Sequence, residues 1–140
     1  MNFKTLAAVG CATLAFAGVS VAREPSPAGA EVYIVSPKDG DQVKGPVTVV
    51  FGLKGMGVAP AGIKMENTGH HHLLVDSDPP ADQSLPLPAT EKSIHFGKGQ
   101  TETTLTLPPG KHTLQLVLGD SLHIPHLPAV VSKKITITVK

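Results

Sequence analysis

The chain has 140 residues, a formal net charge of +1, one cysteine and no tryptophan. That length suits one domain, and the near-neutral charge argues against nucleic acid or an anionic membrane surface as partner. A single cysteine leaves no intrachain disulfide, and a single tyrosine leaves little stacking surface for sugars or bases. Seven histidines in so short a chain are the unusual feature.

Met1-Asn2-Phe3-Lys4 is a short positive start, and residues 5–21 are small and apolar. With Ser20-Val21-Ala22 as a small-x-small cleavage site, residues 1–22 read as a secretory signal peptide, too short for a membrane span. A lipoprotein signal modified at Cys11 is the rival reading, but the apolar run continues well past Cys11. Cleavage after Ala22 removes Lys4 and no acid, leaving eleven basic and eleven acidic residues. It also removes Cys11, so any metal ligand must be His, Met, Asp, Glu or backbone. The expected location is periplasmic or secreted.

Residues 23–30 are rich in proline, alanine and serine and read as a flexible tether. A first strand is expected over 31–35, then a turn at Ser36-Pro37-Lys38-Asp39-Gly40. Lys38-Asp39-Gly40-Asp41 resembles a calcium loop only superficially, since the later acidic positions are missing. Val47, Val49, Phe51 and Leu53 alternate with their neighbours in a half-buried strand. Residues 55–69 form a glycine-rich connection that carries Met56 and Met65. A strand over 70–76 follows, stopped by Asp78-Pro79-Pro80, and then a proline-rich loop over 81–92. Strands are expected over 93–96, 102–107, 111–118 and 135–139, with a second long loop over 119–133. The lysines of the last strand suit a sheet edge.

No segment after residue 22 has a helical period. About seven short strands between Pro/Gly turns in about a hundred residues predict one all-β domain over 31–140, a small immunoglobulin-like antiparallel β-sandwich. In that topology loops 55–69 and 119–133 share a pole, which gathers Met56, Met65, His70, His72, His123 and His126. Along the histidine strand, His70, His72, Leu74 and Asp76 point one way and His71, Leu73 and Val75 the other. His70 and His72 then suit one metal ion, and His123-x-x-His126 supplies a second pair. Four imidazoles satisfy zinc, copper(II) or nickel. Met56 and Met65 tilt the choice to copper, because thioether sulfur prefers Cu(I). His71 is expected to pack and His112 to be structural at the opposite pole. The role of His95 stays open, and Asp76 is expected to cap a turn.

The chain also resembles a bacterial secreted family catalogued as a domain of unknown function, number 4399. The resemblance rests on Gly69-His70-His71-His72-Leu73-Leu74-Val75-Asp76 and on His95-Phe96-Gly97-x-Gly99-Gln100-Thr101-Glu102. It rests further on Pro109-Gly110-Lys111-His112-Thr113-Leu114-Gln115-Leu116 and on Gly119-Asp120 followed by His123-x-Pro125-His126. It runs from about Val32 to Val139 and implies a small secreted β-domain marked by these histidines, with no catalytic residues to carry over.

The expected function is a periplasmic copper chaperone or buffer, with zinc as the alternative metal and no organic cofactor. A non-enzymatic envelope interaction module, in which the histidines serve structure and a periplasmic protein is the partner, is the competing reading. An enzyme ranks third: no nucleophile elbow, phosphate loop or Ser/His/Asp pattern occurs, and only Glu66 and Glu102 stand as general-base candidates.

Overall fold

A computed structural model describes residues 22–140. The expected signal peptide, with Cys11, falls outside the described residues but for Ala22. The described chain forms nine strands and no helix: β1 (Glu31–Ser36), β2 (Gln42–Val43), β3 (Val47–Lys54), β4 (Gly57–Val58), β5 (Thr68–Val75), β6 (Ser93–His95), β7 (Glu102–Leu105), β8 (Gly110–Gly119) and β9 (Ile135–Val139). Seven of them match the strands expected from alternation. The other two, β2 and β4, have two residues each and carry no period that a pattern could reveal.

The strands make two sheets. One has the order β1-β3-β7; the other runs β2-β9-β8-β5-β4, with β6 also paired to β5. All pairings are antiparallel except the two made by β2 and β4. Apolar side chains from both sheets meet in one core: Val32, Val49, Phe51 and Leu105 from the first, Leu73, Leu114, Leu116, Leu118 and Ile137 from the second. This is a β-sandwich, built as the alternation requires. In β3, Val47, Val49 and Phe51 are buried while Thr48 is exposed.

Strand β9 is less of an edge than its lysines suggest. The 39–43 segment runs along it: Gly40 N donates to Thr136 O, Thr138 N to Asp41 O, and Lys140 N to Val43 O. Asp39 accepts from Thr136 N through its side chain, so this Asp-Gly turn serves as a strand clamp. Strand β7 ends at Leu105, two residues short of the expected 107, just before Pro108-Pro109.

The segment expected as a flexible tether is pinned instead. Arg23 donates from Nε to Pro125 O at 2.8 Å and from Nη2 to His126 O. Leu127 N donates to Glu24 O, Ser26 N to Leu127 O, and Ser26 Oγ to Pro128 O. Proline at 25, 125 and 128 breaks regular pairing but leaves enough carbonyls free for the strap to find partners.

Leu116 is fully buried where the two sheets meet. Leu116→Ala is expected to cost about 3 kcal/mol, read as a lower urea midpoint with an unchanged slope.

Candidate metal centre

Both faces of β5 are buried. Its inner face carries His71, Leu73 and Val75, and the His71 ring packs 5.1 Å from the Phe51 ring. Its outer face carries His70, His72 and Leu74. That face would meet water in a bare sandwich, but loops cover it. Leu87, Val117 and Val131 pack on Leu74, and Leu87 N donates to His123 O. The roof leaves His70 and His72 with no exposed surface.

Two neighbours of β5 supply the other imidazoles. His72 is the cross-strand partner of His95 on β6. His70 faces Gly119 at the end of β8, and the chain then turns to bring His123 back over the face. That turn is built by Asp120, whose Oδ1 accepts from Leu122 N and Ile124 N at 2.8 and 2.9 Å. Its main chain accepts from His123 N, and His123 sits at φ 68°, a left-handed conformation that is uncommon outside glycine but that histidine adopts more readily than most residues.

His70, His72, His95 and His123 each offer one nitrogen, and the four atoms lie within 4.8 Å of one another. His70 Nε2 is 3.0 Å from His123 Nδ1 and 3.2 Å from His72 Nε2. Four nitrogens around one ion at about 2.05 Å would stand about 3.3 Å apart. The ring of His95 lies edge-on to those of His70 and His123. Two glycines make room. A Cβ on Gly97 would fall 2.3 Å from the His95 ring, and one on Gly119 would fall 3.2 Å from His72 Nε2.

Burial disfavours the charged form of three of the rings. Burial, then the like charges of His123 and His95, lowers the His70 pKa to about 4. Burial followed by His70 and His95 takes His72 to about 3. His95 is lowered as well, by burial and then His123. Neutral imidazole is the form that binds a metal ion. Among the described residues, His70 Nδ1, His72 Nδ1 and His95 Nε2 have no hydrogen-bond partner, so the rings of His70 and His72 are held by packing and by their Nε2 contacts to His123 and to each other.

Of the six residues expected at the site, His70, His72 and His123 meet there. His126 does not: it is buried with Nε2 3.1 Å from Thr68 O. Its Cε1 would touch a Cβ on Gly69, which shares the His71 side of β5. Met56 packs against the core between the sheets, and Met65 is 58% exposed. Glu66 and Glu102 are exposed, Glu102 on the other sheet. His95, left open by the sequence, completes the four. Its position depends on the β5–β6 register, which no local pattern displays.

His112 is structural and lies at the far end of β5. Its Nδ1 is 2.7 Å from Asp76 Oδ2 and its Nε2 2.8 Å from Pro108 O. Asp76 also accepts from Thr113 N, so the expected turn cap ties β5 to β8 instead.

Residues 49–140 match the family described as a domain of unknown function, DUF4399. The chain belongs to that family. No curated protein matches it in sequence. Among solved structures it is similar to the fibronectin(III)-like modules of CbhA from Clostridium thermocellum, with 13% identity and a TM-score of 0.40, over 77% of this chain and 92% of that one. In the DUF4399 chain described here, the match spans all four histidines of the cluster.

Two outcomes follow from the ionisable groups. The Asp76 hydrogen bond raises His112 above 6.5. Burial pushes Asp76 up, but the hydrogen bonds from His112 and Thr113 outweigh it and hold the carboxyl below 3.8. The His112 contribution is therefore full below pH 6.5 and lost as pH rises through its folded value; that of Asp76 is lost as pH falls below 3.8. Unfolding of wild type and His112→Gln should differ more at pH about 5.5 than at pH about 8.5. His70, His71 and His72 act oppositely, because their pKa values fall on folding. Metal-free protein should lose stability as pH drops from about 6.5 toward 4, and His70→Ala/His72→Ala should flatten that slope in urea titrations at stepped pH.

Proposed function

We propose that this protein binds a transition metal ion outside the cytoplasm and acts as a copper buffer or delivery module, with zinc as the alternative metal. The observation that carries the reading is the meeting of His70, His72, His95 and His123 within 4.8 Å. Two strands and one loop bring together four imidazoles whose nitrogens contact chiefly one another. Crowded rings of this kind repel when protonated, and a bound cation would give their converging nitrogens a common partner.

The donor set favours the divalent ion. Neither thioether joins the buried rings, so the preference for Cu(I) that Met56 and Met65 would bring is not built into this centre. Among divalent ions an imidazole set holds copper(II) most tightly, and imidazole suits zinc as well. His95 takes the place expected of His126. A signal peptide ending near Ala22 supports the periplasmic or secreted location. The competing reading, an envelope interaction module, requires the same histidines to be filler.

The test is a titration of the purified protein with Cu(II), Zn(II) and Cu(I), each against a competing chelator. One ion per chain is expected, with divalent binding lost in His70→Ala/His72→Ala and retained in Met65→Ala and His126→Ala. Absence of binding to all three ions would discard the proposal in favour of the interaction module. Gly97→Ala should weaken divalent binding about tenfold or more by pushing the His95 ring aside, an effect of a misplaced ligand support, measurable in the same titration.

A further inference from the structure

Asp120 is 2% exposed. Among the described residues no lysine or arginine forms an ion pair with it. A buried carboxylate without a cationic partner is costly. The loop does not need the charge. Both loop amides bind Oδ1, and the single side-chain oxygen of asparagine would serve the same two bonds in the same turn. Something other than the turn accounts for a carboxylate here.

Its neighbours show what. Asp120 follows Gly119, the cross-strand partner of His70, and its carbonyl accepts from the amide of His123. Its backbone therefore adjoins the strand partner of His70 and holds the main chain of His123. Four neutral ligands bring no negative charge to a divalent ion, so its full charge would stay uncompensated beside two fully buried rings, those of His70 and His72. We infer that Asp120 is the counter-charge of the four-histidine centre, a positioning residue that also selects divalent over monovalent cations. The role rests on the metal-binding reading above. Asp120 does not ligate: it fixes the loop carrying His123 through Oδ1 and supplies the field through its charge.

Coulomb energy scales with the charge of the ion. Removing the carboxylate charge should therefore cost a divalent ion about twice as much, on a logarithmic affinity scale, as a monovalent one. The experiment compares wild type, Asp120→Asn and Asp120→Glu, titrated with Zn(II), Cu(II) and Ag(I). Asp120→Asn keeps the hydrogen-bond acceptor and should unfold near the wild-type temperature without metal. It should bind the divalent ions about 10–100-fold more weakly, with a clearly smaller loss for Ag(I). Asp120→Glu keeps the charge and should keep more of the divalent preference than Asp120→Asn. Equal losses for Zn(II) and Ag(I), or unchanged affinities, would overturn the assignment.

A second measurement needs no variant. With aspartate side-chain carboxyls labelled with 13C, adding Zn(II) to wild-type protein should shift the Asp120 resonance and leave Asp39, Asp41 and Asp78 in place. An unmoved Asp120 signal on a protein that binds Zn(II) would overturn the counter-charge alone. A wild type that binds none of the ions would remove the metal reading itself, and this inference with it.

Discussion

Strand β5 hydrogen-bonds to β8 along one edge, to β6 and β4 along the other, and buries both faces. The core depends on its inner face, where Leu73 and Val75 meet Phe51 and the leucines of β8. The histidine cluster depends on its outer face, which is buried only because loops cross it. A side-chain period of two forces these roles onto alternate residues. Three consecutive histidines therefore cannot do one job. His71 is committed to the core beside Phe51, and His70 and His72 to the opposite side. A slip of one residue in the pairing would exchange the two sets and destroy both.

Much of this was legible in the sequence, because alternation is a local property. Val47, Val49 and Phe51, or Leu114, Leu116 and Leu118, declare their strands without reference to anything distant. The split of His70 and His72 from His71 follows from the same rule; the separation of His112 from the cluster follows from the up-and-down strand order of a sandwich. What escaped was whatever depends on pairing between distant segments. His95 joins the site through its register with His72. His126 leaves it because the chain reverses at His123 in a left-handed conformation, so the spacing His123-x-x-His126 does not put two rings on one side. The glycine–histidine contacts at Gly97 and Gly119 were visible as motif residues, but only the assembled rings show why a Cβ is excluded. Residues 23–30 have a tether's composition, and the free carbonyls of the 125–128 loop turn them into a strap.

Electrostatics divides the histidines as sharply as geometry does. His112, near water and beside a carboxylate, gains affinity for protons. His70 and His72, roofed and crowded by other imidazoles, lose it. One residue type thus serves as a clasp that favours the proton at one end of β5 and as a crowded cluster that disfavours it at the other. The difference comes from what each ring is placed against, since the intrinsic chemistry is the same.

The placement of the cluster outside the sandwich has a kinetic consequence. His70 and His72 are fully buried and His95 and His123 only partly; loop residues such as Leu87 and Val131 cover the outer face of β5, while the leucine core lies on the far side. Loops held by a few main-chain hydrogen bonds, such as Leu87 N to His123 O, open at a lower free-energy cost than a core shared by two sheets. Opening of the roof would then uncover His70 and His72 with the sandwich beneath it intact. In amide hydrogen exchange the roof amides would form a separate, faster class from those of β5 and β8.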